Sequence, residues 1–458
     1  MISRQEILDF SREFGITANI VEKDYVLAWL LAGISTRTEL NTTWIFKGGT
    51  CLKKCYFETY RFSEDLDFTL TKPEQLNQEF LTKVFRNIAE WINETTGVEI
   101  PKDKIYFEVF KNPRGNISVE GKISYKGPLQ PGGELPRIKL DLTADEILVL
   151  NPVSREAHHS YSDKPSGSIH VQCYCFEELF AEKIRALEER LRPRDLYDVI
   201  HLYRHNDMNP NHAMMLDALK KKCEFKGIQV PSLSSITNKP ERKELEQEWE
   251  NMLGHQLPVL PPFEQFWQEL PSVFEWIYKT TEKTVQPKIS SMNIAIDKTW
   301  QPPAMAQAWH MTVPLEIIRF AASNRLCVNL AYNNTSRLIE PYSLRRSCDG
   351  NLLLYAVKHQ TGDVRSYRVD KIQGAEVTKE SFIPRYAIEL TASGLVSTPQ
   401  IHRTTTVHKS NFGPTYIIEC SYCGKRFNRE KNNTRLSPHK DKSGYSCSGR
   451  SGYLVETK

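Results

Sequence analysis

Two carboxylates lie two residues apart in the stretch SEDLDFTL, which spans residues 63–70. In a β-strand, side chains at i and i+2 project from the same face. Asp65 and Asp67 are therefore expected to point together, while Leu66 and Phe68 point into the core. Neighbouring carboxylates repel and raise each other's pKa unless a cation lies between them. Because Mg²⁺ prefers oxygen ligands, the spacing predicts a magnesium site on this strand.

A third carboxylate, Asp141, follows in RIKLDLT, where it lies on the polar side of a predicted strand. Three strand carboxylates can hold two metal ions about 3.5–4 Å apart, an arrangement that clamps an in-line phosphoryl displacement. Upstream, Gly48 and Gly49 form a predicted turn between a strand and a helix, and its backbone N–H groups suit phosphate oxygens. A solvated strand face is the alternative for Asp65 and Asp67. The order of strand, glycine turn, helix and aspartates favours catalysis.

The stretches KGGTCLKK and YRFSEDLDFTL together resemble the signature of the AbiEii/AbiGii-type nucleotidyltransferase toxins, the abortive infection type IV family. VEKDYVLAWLL and FAEKIRALEERLRPRDLYDVIHL also resemble the patterns of that family, and the similarity covers roughly residues 10–280. The resemblance implies an α+β fold, with a polymerase β-type nucleotidyltransferase core followed by a helical C-terminal part.

The resemblance also implies which residues form the transferase site. Those assigned to nucleotide binding and catalysis are Lys47, Gly48, Gly49, Thr50, Ser63, Asp65, Asp67, Asp141, Lys183 and Asp195. In the family pattern, Lys183 matches a phosphate-contacting lysine and Asp195 matches a required acidic residue. This chain has Gly49 where the broader superfamily has serine. Phosphate contact is therefore expected from backbone amides or from Thr50.

Two residues of this set have a structural alternative. Lys183 can lay its stem along the helix EELFAEKIRALEERL and place its ammonium group in water. Its neighbours three and four residues away are apolar, and none is a carboxylate, which favours the phosphate role. Asp195 can simply mark a helix start, because an acidic residue is favourable in the first turn.

A β-rich segment over residues 312–390 contains the hairpin turns DGN and TGD between predicted strands. It resembles a WYL domain, a small SH3-like β-barrel, although LLY replaces the name-giving Trp-Tyr-Leu and RSYRVDKI is the better match. The resemblance implies a nucleic-acid or nucleotide ligand bound by Arg365 and Arg368, with Tyr367 as a stacking surface. A solvated basic edge strand, which opposes aggregation, is an equal alternative.

The C-terminal 39 residues contain three of the ten cysteines, Cys420, Cys423 and Cys447, together with His439. Two thiolates on a tight Cys-x₂-Cys turn, followed by a histidine and a further cysteine, suit a closed tetrahedral Zn²⁺ site. A short segment with few apolar residues needs a cross-link, such as a bound metal ion, in order to fold. The other seven cysteines are scattered through apolar or unremarkable contexts, so no disulfide framework is predicted.

The net charge of +4 conceals an asymmetry. Residues 420–458 contain nine Lys/Arg and three Asp/Glu, which leaves 51 basic and 53 acidic residues in the remainder. Tyr422, Phe427 and Tyr445 lie among these basic residues. Basic and aromatic side chains together are typical of a nucleic-acid contact, which we therefore predict for this tail.

These assignments predict a nucleotidyltransferase domain at 1–283, a linker at 284–311, a WYL-like domain at 312–390, a linker at 391–412 and a zinc-finger tail at 413–458. No apolar run is long enough to cross a bilayer, and no signal-peptide pattern is present. We therefore expect a cytoplasmic protein without a membrane partner.

The predicted function is Mg²⁺-dependent transfer of a nucleotidyl group from an NTP to an acceptor, with tRNA as the first candidate. The resemblance implies a toxin or phage-defence effector whose partners are nucleic acid and a cognate antitoxin or other defence proteins. One alternative is a WYL-type ligand-sensing or nucleic-acid-binding regulator with an idle transferase domain. The intact carboxylates argue against it, because an idle site does not require two like charges side by side. The other alternative is transfer of NMP to a protein, including self-modification at Ser63.

Overall fold

A computed structural model of the 458-residue chain describes residues 1–112, 114–130, 132–165, 167–205, 208–279, 286–289, 295–297, 315–390, 416–429 and 432–457. The chain forms two compact units, residues 1–397 and 398–458, and each is described by itself. The predicted linker at 391–412 and most of the one at 284–311 lie outside the described residues.

Helices flank a mixed sheet in the first part of the larger unit. The helices are α1 (Arg4–Phe14), α2 (Ala18–Ser35), α3 (Thr38–Asn41), α4 (Gly48–Cys51), α5 (Gln78–Thr96), α6 (Phe176–Arg190), α7 (Pro193–Arg204), α8 (His212–Lys226), α9 (Leu233–Thr237), α10 (Arg242–Leu253), α11 (Phe263–Trp267) and α12 (Leu270–Lys279). The strands are β1 (Trp44–Lys47), β2 (Asp65–Leu70), β3 (Ile105–Lys111), β4 (Ile117–Ser124), β5 (Arg137–Thr143), β6 (Val153–Glu156) and β7 (His170–Cys173).

The seven strands form one sheet in the order β3-β4-β5-β2-β1-β7-β6. β1 and β2 are antiparallel neighbours that flank the glycine turn, whereas β2 and β5 pair in parallel. The two predicted carboxylate strands therefore lie side by side at the centre of the sheet.

Helix α2 runs through the core and shows why the first part of the chain folds compactly. Its sequence ANIVEKDYVLAWLLAGIS is apolar around most of its circumference, as expected for a buried helix. Trp29 packs against Trp91 of α5 with ring centroids 5.9 Å apart. The buried Asp24 is compensated by Lys54, whose Nζ donates to its carboxylate at 2.7 Å.

The predicted β-rich segment is an antiparallel sheet of five strands in the order β11-β10-β9-β8-β12. It comprises α13 (Leu315–Asn324), β8 (Leu326–Tyr332), β9 (Thr335–Arg346), β10 (Leu352–Lys358), β11 (Val364–Arg368) and β12 (Ile372–Ser381). Leu354 and Tyr355, of the LLY that replaces Trp-Tyr-Leu, are fully buried in β10. The degenerate motif thus keeps a core-packing role.

The smaller unit contains β13 (Tyr416–Cys420), β14 (Arg426–Arg429), β15 (His439–Lys440), β16 (Ser446–Cys447) and β17 (Gly452–Thr457). Three strands form a sheet in the order β14-β13-β17, and β15 pairs with β16. Its buried core consists of Ile418, Cys420, Leu436 and Cys447, so half of the core residues are predicted metal ligands.

None of the helices in the described ranges is both long and apolar enough to span a bilayer.

Candidate active site and metal centre

The parallel register of β2 and β5 places Asp67 directly beside Asp141, and Asp65 beside Lys139. Asp65 and Asp67 are half-buried, while Asp141 is exposed. Burial and the Asp141 carboxylate raise the pKa of Asp67 to about 6. Desolvation also raises the pKa of Asp65 and, together with repulsion by the Asp65 carboxylate, that of Asp141, although Asp141 is the most exposed of the three. Mutual repulsion in an all-oxygen donor set is the property that a divalent cation relieves, so these residues fit Mg²⁺.

The glycine turn lies directly against this carboxylate face. Gly48 has a φ of +79°, and a Cβ on it would lie 2.2 Å from an Asp67 carboxylate oxygen. A Cβ on Gly49 would lie 2.5 Å from Arg61 Nη2 and 3.2 Å from Ser63 Oγ. Gly48 therefore requires glycine, and a side chain at Gly49 would displace the Arg61 guanidinium group.

Thr50 connects the turn to the catalytic strand. Its hydroxyl donates to the backbone carbonyl of Asp65, and the residue is 1% exposed. The hydroxyl is therefore engaged in positioning β2. The backbone amides of the turn are the groups that remain for phosphate.

Lys47 ends β1 on the same face as the aspartates. Its Nζ lies 3.7 Å from Glu182 and 3.9 Å from Glu146. Although burial lowers the pKa of Lys47, Glu182 and Glu146 together raise it above its usual value. The ammonium group therefore stays charged beside Asp67. Sequence reasoning missed both glutamates, because they reach Lys47 from distant parts of the chain.

Lys183 has acidic partners on the neighbouring helix. Its Nζ lies 2.7 Å from Asp198 and 3.7 Å from Asp195, both on α7, and the residue is 8% exposed. The alternative in which its charge reaches water is therefore wrong. The sequence of α6 alone shows no acidic partner for Lys183, because both partners belong to α7. Lys183 also lowers the pKa of Asp67, which places its charge near the carboxylates.

Asp195 is a fully buried residue in the first turn of α7. Arg190 donates to both of its carboxylate oxygens, at 2.7 and 2.9 Å. Asp195 thus joins the end of α6 to the start of α7, and its carboxylate also lies 3.7 Å from Lys183 Nζ.

Asp198 was missed by sequence reasoning and is the most connected carboxylate of this region. It accepts from Arg61 Nε at 2.7 Å and Nη2 at 2.8 Å, and also from the Tyr60 hydroxyl. Although burial raises it, Arg61 and Lys183 hold the pKa of Asp198 well below its usual range. The sequence signal for Asp198 was its position three residues after Asp195, because residues at that spacing lie on the same face of a helix.

The four predicted zinc ligands come together in the smaller unit. The ligand atoms of Cys420, Cys423, His439 and Cys447 all lie within 4.8 Å of one another. Cys423 Sγ is 3.4 Å from His439 Nε2, and Cys420 Sγ is 3.9 Å from Cys447 Sγ. Three sulfur atoms and one imidazole nitrogen at this spacing fit a closed tetrahedral Zn²⁺ site.

Neighbouring backbone groups orient these ligands. The Ser437 carbonyl lies 2.9 Å from His439 Nδ1, which leaves Nε2 directed at the sulfur atoms. The N–H of Tyr422 donates to Cys420 Sγ, and that of Gly449 donates to Cys447 Sγ. A Cβ on Gly449 would lie 2.6 Å from Cys420 Sγ, so the backbone can approach the ligands only as glycine.

The family model of the nucleotidyl transferase AbiEii toxin, of the Type IV toxin–antitoxin system, matches residues 29–276. The chain belongs to this family. A WYL domain model matches residues 314–377. The AbiEii match spans all the residues assigned above to the transferase site, and it confirms the predicted family and fold class.

The solved structures that match the chain include a nucleotidyltransferase toxin. MenT4 from Mycobacterium tuberculosis H37Rv is 15% identical with a TM-score of 0.40, covering 62% of this chain and 91% of that chain. JHP933 from Helicobacter pylori is 16% identical with a TM-score of 0.37, covering 58% and 94%. No curated protein is similar enough to the chain to count as a match.

The predicted ligand residues of the WYL domain lie on or beside β11. The Arg365 and Arg368 side chains are 51% and 42% exposed and pair with Asp363 and Asp370 at 3.2 and 2.7 Å. Tyr367 is 4% exposed and packs edge-on against Tyr332. The prediction that Tyr367 offers a stacking surface is therefore wrong, because alternation along the strand turns its ring inward.

A second cysteine group lies behind the glycine turn of this AbiEii domain. The sulfur atoms of Cys51, Cys55 and Cys173 lie within 4.8 Å of one another, and the residues are at most 1% exposed. Burial raises the pKa of the Cys51 and Cys55 thiols. The seven cysteines described as scattered thus include a buried cluster that only the pairing of β1 with β7 brings together.

Proposed function

We propose that this toxin is a Mg²⁺-dependent nucleotidyltransferase that transfers NMP from an NTP to a hydroxyl of tRNA. One observation carries the proposal. Asp65, Asp67 and Asp141 share one sheet face, with raised pKa values, directly opposite the Gly48–Gly49 turn. A phosphate-binding turn beside a cation-binding carboxylate face is the arrangement that nucleotidyl transfer requires.

In the proposed reaction, the acceptor oxygen forms a bond to the α-phosphorus of the NTP, and the bond from that phosphorus to the β-phosphate oxygen breaks. Pyrophosphate leaves, and the hydroxyl proton passes to a carboxylate. Asp141 suits this role because it is exposed and its pKa is raised above the usual value for an aspartate. Bound Mg²⁺ supplies Lewis-acid charge at the phosphoryl oxygens.

The cations around the site bind the triphosphate in this proposal. Lys47 and the turn amides face the carboxylates, and Lys183 keeps its predicted phosphate role while Asp195 and Asp198 hold it in place. Ser63 lies against Gly49, two residues before the start of β2.

The tail supports nucleic acid as the acceptor. Its nine basic residues exceed its three acidic residues, and Tyr422 and Tyr445 are 78% and 74% exposed. Charge contacts to phosphates make affinity fall steeply with salt. Deleting residues 413–458 is expected to flatten this slope for tRNA, and an unchanged slope would assign the zinc tail to a protein partner.

In the cell, we infer a cytoplasmic toxin, because its proposed substrates, NTP and tRNA, are cytoplasmic molecules. Its Type IV family implies a cognate antitoxin, and growth arrest by tRNA modification would suit phage defence.

The WYL domain would sense a nucleotide or nucleic acid through Arg365 and Arg368. Their partial exposure supports this role.

The deciding experiment incubates the purified chain with each labelled NTP, Mg²⁺ and either total RNA or total protein. Label is expected in tRNA with the wild type and none with Asp67→Asn. The matched control is Asp217→Asn, which alters an exposed aspartate of α8 paired with Lys221 and should leave labelling unchanged. Label in protein that disappears with Ser63→Ala would establish self-modification. No label with any acceptor would favour the regulator with an idle transferase domain.

A further inference from the structure

The loop at residues 57–64, which leads into the carboxylate strand, is held from two directions. On one side, Tyr60 and Arg61 bind Asp198, the same carboxylate that pairs with Lys183. On the other side, Glu58 and Thr59 contact α13, which is the first helix of the WYL domain. The loop therefore links the WYL domain to the transferase site.

The contact with α13 consists of two buried polar pairs. Thr59 Oγ1 donates to Glu316 at 2.7 Å, and Arg319 Nη1 donates to Glu58 at 3.2 Å. All four residues are 6–7% exposed. A buried charged group without its partner is costly, so these pairs specify one position of the loop against the helix.

The C-terminal end of α13 is attached to α7, the helix that holds Lys183. The Tyr197 hydroxyl donates to Asn324 Oδ1 at 3.1 Å, and Asn324 is 1% exposed. Arg204 at the end of α7 donates to the backbone carbonyl of Ser323 at 3.3 Å. Because Tyr197 lies between Asp195 and Asp198 in sequence, α13 fixes the helix segment that supports the site.

We propose that α13 of the WYL domain is a positioning element of the transferase site, attached through Thr59–Glu316 and Tyr197–Asn324. The inference rests on the proposed nucleotidyl transfer. Thr59 lies four residues before Ser63 and six before Asp65, so a shift of α13 reaches the carboxylate strand β2 through a short chain segment. A misplacement of about 1 Å at a catalytic group can cost about a hundredfold in rate. A WYL ligand that moves α13 thereby changes the rate of transfer.

The test removes one hydrogen bond without changing the size of the side chain. Thr59→Val removes the hydroxyl that binds Glu316, and Thr59→Ser retains it. Thr378→Val is the matched control, because its hydroxyl donates at 2.9 Å to the Cys327 carbonyl within the WYL sheet. We expect Thr59→Val to lower kcat about tenfold with the KM for NTP within about twofold, and the other two variants to keep kcat.

A second variant approaches the same contact from the WYL domain. Glu316→Met removes the acceptor at similar volume, and it is expected to lower kcat as Thr59→Val does. Glu316→Met also removes the contact of Glu316 with Arg319 Nη1 at 3.5 Å, so the double variant should be no slower than Glu316→Met alone, because the bond to Thr59 is already lost there. Additive losses would show that the two residues act separately and would overturn the inference.

Melting temperatures separate positioning from mere stability. Positioning predicts that Thr59→Val loses kcat well below its melting temperature, while Thr378→Val at a similar melting temperature does not. Equal kcat for these two variants, with an active wild type, would overturn the inference and leave the proposed function intact. A wild type that transfers no nucleotide would instead overturn the proposed function itself.

Discussion

In the larger unit, Asp67 and Asp141 meet because β2 and β5 pair in parallel, and both strands are anchored by Leu66, Phe68, Leu140 and other buried residues of an extensive core. In the smaller unit, two of the four core residues are the proposed ligands Cys420 and Cys447. The first fold holds its carboxylates together against their repulsion. The second has so little apolar core that the ligands must themselves hold the fold. Removal of a ligand should therefore affect stability in opposite directions at the two sites.

The largest expected effect is the loss of the tail fold without zinc. Structural zinc contributes about 10–16 kcal/mol to folding in small domains, so a strong chelator or Cys420→Ser should unfold residues 416–457 while the larger unit keeps its melting temperature. Amide hydrogen exchange measures both units at once, and metal analysis should find one zinc per chain. The control is Cys348→Ser, which changes an exposed cysteine. If the amides of the tail stay protected from hydrogen exchange after metal removal, the proposed difference between the two units is contradicted.

A smaller effect is expected when a buried cation is removed from the transferase site. Lys183→Met leaves Asp198 and Asp195 with one cation fewer and should lower the free energy of unfolding by about 3 kcal/mol. Lys221→Met, which changes a lysine that is 51% exposed, should cost less than about 0.5 kcal/mol. Urea unfolding measures both. Equal losses would show that the Lys183 pairs contribute no more than a surface pair.

A still smaller effect of opposite sign is expected for Asp67→Asn. The neutral amide removes the repulsion with Asp141 and Asp65, so the metal-free protein should gain about 1 kcal/mol of stability at pH 7.5. Transfer should be lost at the same time. Thermal melting without divalent ions measures the gain. A destabilised Asp67→Asn variant would show that the carboxylate has a structural role like that of Cys420.

The smallest effect concerns pH. The raised pKa of Asp67, about 6, means that the folded protein holds this proton more tightly than the unfolded chain. The associated stability is present at low pH and is lost as the pH rises through about 6. Mg²⁺ binding needs the ionised carboxylate, so its stabilising effect should grow over the same range. Melting temperatures with and without Mg²⁺ at pH 5 and pH 7.5 test this. A Mg²⁺ effect that does not increase with pH would contradict it.

Local motifs made much of the transferase site predictable. DLD alternates as a strand requires, KGGT supplies a turn whose first glycine has a left-handed φ, and the Asp141 strand shows its own apolar alternation. Cys420 and Cys423 of the cysteine group in the tail were predictable for the same reason, since Cys-x₂-Cys is a local pattern. Residue type and short spacing are sufficient to predict a group of functional residues when a single helix, strand or turn carries all of them.

The remaining features depend on contacts between distant segments. Asp198 is recognisable only once α6, α7 and the loop at 57–64 pack together, and the Cys51 group requires β1 beside β7. Tyr367 was assigned to a ligand surface by resemblance, and the strand register shows that its ring belongs to the core. Sequence periodicity shows which face of a helix or strand is apolar, but it does not identify the element that packs against that face.

The attachment of Thr59 to Glu316 has a consequence for how the toxin is made. Protein synthesis proceeds from the N-terminus, so the carboxylate strand leaves the ribosome long before α13 does. Until Glu316 and Asn324 have emerged, the loop at 57–64 and helix α7 hold each other through Asp198 but lack the contacts that α13 supplies. A nascent or truncated chain thus contains every proposed catalytic residue without the helix that positions them. Late synthesis of α13 would delay full activity until most of the chain has been translated.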